Sequence, residues 1–155
     1  MEIHRNQFYV TRFSNASKEV FPDNTLTAFT IHFAQTIDLG ASSHWEVGLA
    51  QLSYKAPNRQ IMNRALVDVI SSINVLVYCD LIKPQIVGKE SVRLLRTIIC
   101  PTQLGNHLFQ NVYYLPVEKT HFEDTRIELR ETDGGPAALE ASVVPTKVVL
   151  HIRRI

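Results

Sequence analysis

Residues 20–54 read VFPDNTLTAFTIHFAQTIDLGASSHWEVGLAQLSY, and the parity of their side chains decides the fold class. An FPDNT turn leads into LTAFTIHF, where Phe29, Ile31 and Phe33 share one parity and Ala28, Thr30 and His32 the other. Alternation of period two is the signature of a strand with one buried face. After a polar connection, WEVGLAQLSY begins a second strand with Trp45, Val47 and Leu49 inward. The inward set then slips by one, to Leu52 and Tyr54, which predicts a β-bulge within the strand. Gly48 is placed to ease the local bend. In FPDN, Phe21 and Pro22 anchor the turn, while Asp23 and Asn24 hydrogen-bond backbone amides as an Asx turn. That turn chemistry accounts for the residue types without a bound ligand.

The same period extends in both directions. FYVTRF (8–13), INVLVYC (73–79), VRLLRTIIC (92–100), VYYLPV (112–117), TRIELRE (125–131) and KVVLHIRRI (147–155) all read as strands. In TRIELRE, Ile127 and Leu129 point in, and Arg126, Glu128 and Arg130 point out. DLIKPQIVGKE (80–90), TQLGNH (102–107) and TDGGPAALEASVVP (132–145) read as loops or turns. KAPNRQIMNRALVDVI (55–70) is the least strand-like stretch, a short helix or an irregular crossover. The expectation is an all-β, antiparallel β-sandwich of eight strands in one domain spanning 1–155. Periodicity leaves open whether it is a plain sandwich or a jelly roll.

The chain has 155 residues, 45% of them hydrophobic and 20% charged, the balance of a globular core-former. Its net charge is +1, from 16 basic and 15 acidic residues, so wrapping nucleic acid by phosphate neutralisation is not expected. Arg153 and Arg154 in the closing HIRRI are the only hint of an anionic partner. The apolar runs are far shorter than the ~20 residues of a membrane helix, so no membrane span is expected. MEIHRNQF lacks the apolar region of a secretory signal. The Asn15-Ala16-Ser17 sequon therefore reads as a turn.

Catalytic marks are missing. The six histidines (His4, His32, His44, His107, His121, His151) show no metal-binding spacing, and His32 and His151 fall on the polar parity of their strands. Cys79 and Cys100 sit in apolar runs and read as buried reduced thiols rather than nucleophiles. Glu128 and Glu131 alternate with Arg126 and Arg130, a solvated charge ladder rather than an acid–base pair. No phosphate-binding, dinucleotide-binding or nucleophile-elbow motif occurs. The expectation is a non-enzyme without metal or cofactor. Several strands carry apolar residues on both parities, as Leu76 and Tyr78 do opposite Val75 and Val77. A monomer has no use for a second apolar face, whereas an oligomer buries it. Candidate subunit or partner contacts are Leu76, Tyr78, Glu46, His151 and Arg153.

A series of blocks carries a family resemblance. FYVTRFSNAS (8–17), VFPDNTLTAFTIHFAQTIDL (20–39), WEVGLAQLSY (45–54), VLVYCDLIKPQIVGKESVRLLRTI (75–98), NVYYLPVEKTHFEDTRIELRETDGGP (111–136) and KVVLHIRRI (147–155) cover most of the chain. In this order they resemble the minor capsid, or penton, proteins of Polinton (Maverick) elements and adintoviruses. Phe21, Pro22, Asp23 and Asn24 form the turn of the second block. The connection GASSH before the third block is longer and more polar than in the family, so that loop differs. The chain is little more than these blocks, so an appended receptor-binding or spike domain is not expected.

The resemblance implies a single jelly roll forming homopentamers at the fivefold vertices of an icosahedral capsid. The double jelly-roll major capsid protein would be its neighbour. Its expected location is the virion, with assembly in the host nucleus or cytoplasm. Two other readings compete with this one. A monomeric β-sandwich module binding a carbohydrate or protein ligand would use loops 56–65, 102–107 and 132–144, which hold few aromatics for sugar stacking. A cupin-like metal enzyme would need histidines converging inside the barrel, and here they fall mostly on outward parities or in loops.

Overall fold

A computed structural model describes residues 6–55, 72–101, 105–137 and 144–155. Residues 56–71, which take in all but the first residue of the stretch 55–70 read above as a helix or crossover, lie outside the described residues, as do 102–104 and 138–143 of the loops at 102–107 and 132–145. The strands are β1 (Gln7–Phe13), β2 (Ala28–Asp38), β3 (Trp45–Ser53), β4 (Ser72–Cys79), β5 (Gln85–Val87) and β6 (Glu90–Val92). They continue with β7 (Leu94–Pro101), β8 (Asn106–Leu108), β9 (Tyr114–Pro116), β10 (His121–Arg130) and β11 (Lys147–Arg154).

Eleven strands among the described residues replace the expected eight. The additional ones are three residues each. β5 and β6 form a hairpin within a segment expected to be a loop. Val87 pairs with Glu90, leaving Gly88-Lys89 as a two-residue turn. Gly88 takes a φ of 63°, which a glycine adopts without a Cβ clash and which this class of hairpin turn requires. β8 is a short patch on the edge of β3, in a segment read as part of a turn.

The pairing is nested. β1 pairs with β11, β2 with β10, β3 with β9 and β4 with β7, all antiparallel. This is the pattern of one long antiparallel ribbon. Coiling the ribbon brings β11 beside β3 and β10 beside β4. The result is two main sheets, β1-β11-β3 with β8 and β9 on its far edge, and β2-β10-β4-β7. The fold is a jelly-roll-like β-sandwich.

The core fills from both inner faces. Phe29 and Ile31 of β2, Val75 and Val77 of β4, and Ile127 and Leu129 of β10 are almost completely buried. They face Val47, Leu49 and Leu52 of β3 and Val148, Leu150 and Ile152 of β11, equally buried. Burying each such side chain stabilises the fold by about 1.5–3 kcal/mol before entropy is charged. Trp45 is buried as well, and its indole N–H donates to the Leu39 carbonyl at 2.9 Å.

The parity slip in β3 is a bulge. Leu49 pairs with Leu150 and Gln51 with Val149, so Ala50 is left without a partner on β11. The Ala50 carbonyl instead accepts from the Phe109 amide at 3.0 Å. Gly48 does not simply ease this bend. A Cβ there would lie 2.3 Å from Val112 Cγ1 and 2.7 Å from the Tyr113 carbonyl oxygen. Gly48 is thus required by the close passage of residues 112–114 over β3.

Candidate assembly surface

The outer face of the β1-β11-β3-β9 sheet carries the most organised polar cluster. Cross-strand register places Tyr9, His151, Gly48 and Tyr114 in one row across four strands. The next row holds Gln7, Arg153, Glu46 and Pro116. Because Gly48 has no side chain, the Tyr114 ring reaches over it, and the Tyr114 hydroxyl lies 2.6 Å from His151 Nδ1. His151 Nε2 lies 3.0 Å from Gln7 Oε1. The Gln7 oxygen only accepts, so Nε2 carries the proton and Nδ1 accepts from Tyr114. Tyr9 stacks on the imidazole at 4.4 Å between centroids. Arg153 sits 3.5 Å above the Tyr114 ring, and its Nε donates to Glu46 Oε1 at 2.5 Å.

His151 lies on the outer face, as its parity predicts, but it is not solvated. It is only 6% exposed, roofed by Tyr9 and Tyr114. Burial and the neighbouring Arg153 charge lower its pKa and favour the neutral ring. The structure brings Glu46, His151 and Arg153 together, and adds Tyr9 and Tyr114, which were not singled out from sequence. Tyr9 had a usable signal, being an aromatic on the outward parity of β1. Tyr114 had none, because only the register of β9 on β3 brings it to His151.

Leu76 and Tyr78 lie on the outer face of the other sheet, both half-buried. Leu76 pairs with Arg130 and Tyr78 with Glu128, and the Arg130 guanidinium lies 5.1 Å from the Tyr78 ring. The five candidate contacts therefore divide between opposite faces of the sandwich. Around Tyr78 runs the charge ladder expected from TRIELRE. Arg126 Nε and Arg130 Nε each donate to Glu128 at 2.8 Å. Burial pushes the Glu128 carboxyl up, but these two arginines outweigh it and hold the pKa below its ordinary value. Lys119–Asp80 at 3.0 Å and Arg93–Glu118 at 2.6 Å continue the ion pairs. Such half-exposed pairs contribute little each.

The FPDN turn does a different job from the local Asx turn expected of it. Of Phe21, Pro22, Asp23 and Asn24, only Asn24 is buried. Its Oδ1 accepts from the Thr30 amide at 2.9 Å and its Nδ2 donates to the Thr30 carbonyl at 2.8 Å. Thr25 Oγ1 accepts from the Ala28 amide, and Ser17 Oγ accepts from the His32 amide, each at 3.0 Å. These side chains occupy backbone groups on the edge of β2 away from β10, closing an edge to foreign strands. The Ser17 hydroxyl of the sequon is taken up in this way.

The remaining titratable groups make separate contacts. His32 Nδ1 lies 2.8 Å from Asp124 Oδ1 across the strand pair, at the surface. His107 stacks on Tyr54, whose hydroxyl lies 3.1 Å from Nε2, and burial lowers the pKa of the ring. Cys79 is a free buried thiol whose pKa burial pushes up to about 12, the opposite of an activated nucleophile. The Cys100 side chain is not among those described. Among the described residues no group of three or more His, Cys, Asp and Glu side chains is arranged to hold a metal ion. No helix among them is long and apolar enough to cross a membrane.

The surface thus belongs to a jelly-roll-like β-sandwich whose most ordered polar features are aromatic and ionic clusters on two outer faces. Among solved structures, the chain is similar to the penton protein of mavirus, a selenomethionine crystal structure. The TM-score is 0.58, with 96% of this chain and 100% of that chain covered at 7% sequence identity. At that identity the likeness concerns the fold alone. No protein-family model matches the chain, and no curated protein matches it in sequence.

Proposed function

We propose that this chain is a minor capsid protein of the penton type. It assembles as a homopentamer at the fivefold vertices of an icosahedral capsid and carries out no catalysis. The observation that supports this most is the penton-like fold, shared with the mavirus protein along essentially the full length of both chains. The nested strand pairing supports the finer reading as a single jelly roll, in which the eight longer-range strands divide four and four between the sheets β1-β11-β3-β9 and β2-β10-β4-β7. The block-by-block sequence resemblance supports an origin in Polinton elements or adintoviruses. In that setting the double jelly-roll major capsid protein surrounds the vertex, and the virion is where the protein resides.

The outer faces add support from physical chemistry. Tyr9 is 66% exposed beside Arg153, and Leu76 and Tyr78 place apolar surface on the opposite sheet. Tyr and Arg are the residue types that anchor protein interfaces. Two different surfaces per subunit are what a head-to-tail ring requires. The test is the solution mass by light scattering, with negative-stain images of the same peak. Five chains in fivefold rings are expected. A monomer with affinity for a small ligand at its loops would replace this reading with the binding module.

A further inference from the structure

Arg12 is an arginine without a partner. It lies on β1 on the parity of Phe8 and Val10, and its guanidinium sits 4.0 Å from the centre of the Phe33 ring on β2. The side chain therefore turns into the rim between the two sheets. Its Nε is buried with no hydrogen-bond partner, and among the described residues no carboxylate or carbonyl reaches the group. Arg93, Arg96, Arg126, Arg130 and Arg153 each donate to a carboxylate or a carbonyl. Burial lowers the Arg12 pKa, but a guanidinium stays charged at neutral pH. A charged donor desolvated and left unpaired is unfavourable, so an acceptor arriving from outside is bound with gain.

The strand edge beside Arg12 is open. The Ser14 amide donates to the Thr146 carbonyl at 2.9 Å and the Arg154 amide to the Asn6 carbonyl at 2.8 Å. These two bonds fix which residues of β1 face β11. Antiparallel pairing alternates, so the amides and carbonyls of Phe8, Val10 and Arg12 turn towards β11, and those of Gln7, Tyr9 and Thr11 turn away. Among the described residues no strand lies on that side of β1. The β2 edge of the other sheet is closed by Asn24, Thr25 and Ser17. One edge is capped and the other is free to take an added strand.

We infer that the free edge of β1 binds an extended segment of another protein that brings a carboxylate to Arg12. In a strand laid on this edge, the residue opposite Arg12 points to the same face, with Cβ atoms about 4.5–5.5 Å apart. An aspartate or glutamate there meets the guanidinium, while the main chain of the segment takes up the outward groups of Tyr9 and Thr11. Its flanking side chains lie on the outer face beside the exposed Tyr9 and Phe13, where apolar residues fit. The charge also sets selectivity, because a strand without an acid buries Arg12 further and leaves it unpaired. A second copy pairing β1 to β1 supplies no acid, since QFYVTRF contains none. The inference goes beyond the ring reading and does not depend on it.

The probe is a fluorescein-labelled peptide, Lys-Thr-Val-Thr-Val-Glu-Val-Thr-Val-Thr-Lys, with control peptides carrying Gln or Lys at the centre. Binding to the full chain is read by fluorescence polarisation for wild type, Arg12→Met and Thr11→Pro, each checked for a cooperative melt. Methionine keeps a stem over Phe33 without the charge. Proline removes one outward amide and leaves the pairing with β11 in place. The Glu peptide is expected to bind wild type roughly tenfold or more tighter than the Gln and Lys peptides. Arg12→Met should abolish that preference, and Thr11→Pro should weaken all three peptides. Hydrogen exchange at the Tyr9 and Thr11 amides should slow when the Glu peptide binds. The comparison of Glu with Gln on wild type needs no variant to fold. No binding of the Glu peptide at millimolar concentration, equal binding of Glu and Gln peptides, or a preference that survives Arg12→Met overturns the inference. Tyr9 and Thr11 amides already protected without peptide also overturn it, assigning the edge to a second copy and leaving the ring reading standing.

Discussion

Gly48→Ala puts the packing of β9 over β3 under direct test. The added methyl would sit 2.3 Å from Val112 Cγ1, 2.7 Å from the Tyr113 carbonyl oxygen and 3.2 Å from Tyr114 Cδ1. Comfortable carbon–carbon separation is ~3.5–4.0 Å, so the Val112 methyl must retreat by more than about 1 Å. A side chain can do this by rotating, but a carbonyl moves only with its backbone. Overpacking of this kind costs about 1–3 kcal/mol, and the fixed carbonyl points to the upper end. At roughly 2–4 °C per kcal/mol for a chain of this size, the melting midpoint falls by about 4–12 °C. Urea denaturation should show a lower midpoint with an unchanged slope, because the surface exposed on unfolding is the same. Adding Val112→Ala should restore part of the loss and no more, since the contact with the Tyr113 carbonyl remains. A Gly48→Ala protein within about 0.5 kcal/mol of wild type would refute the close-passage argument. Complete rescue by Val112→Ala would refute the role given to the carbonyl.

Other outcomes follow from the same structure. Asn24→Ala removes both side-chain bonds to Thr30, and should cost about 1–2 kcal/mol and raise aggregation of the folded protein by opening the β2 edge. Asn24→Asp keeps the acceptor and should fall between the two. His151 and His107 have pKa values lowered in the folded state, so the unfolded chain binds more protons. Stability is then fully present above about pH 6.5 and declines as the pH falls through the lower folded values. Denaturation midpoints measured across pH 5–8 should show this, and His151→Phe should flatten the decline; a stability that rises on acidification contradicts it. Glu128 should act in a separate window, its contribution present above the ordinary carboxylate pKa and lost only in more acid solution. Cys79 in the native protein should resist thiol alkylation at pH 8 and react once the chain is unfolded, with peptide mapping to locate the label.

Much of the fold was legible because one buried face imposes period two on a strand. Phe29, Ile31, Ile127, Leu129, Leu150 and Ile152 announce their direction from parity alone. The same rule located the bulge, since Leu49 and Leu52 cannot share a face without an extra residue between them. What parity cannot report is what crosses an outer face. His151 sits on the polar parity and is nevertheless buried, because Tyr114 arrives over Gly48 from β9, whose register on β3 no local pattern reports. The β5–β6 hairpin was missed for a related reason. Its strands are three residues long, too short for alternation, and its only local signal is a glycine at the first position of a two-residue turn. Asn24 was read as a local turn former, but its partner is Thr30, six residues on and in the next strand. The split of Glu46, His151 and Arg153 from Leu76 and Tyr78 between two faces depends on which strands share a sheet, and that is set by the coiling of the whole ribbon.

Single-particle imaging of the purified full chain, averaged without imposed symmetry, bears most directly on the capsid-vertex reading. Closed rings of five copies are the predicted result. Isolated sandwiches at tens of micromolar, or twofold dimers, would contradict it.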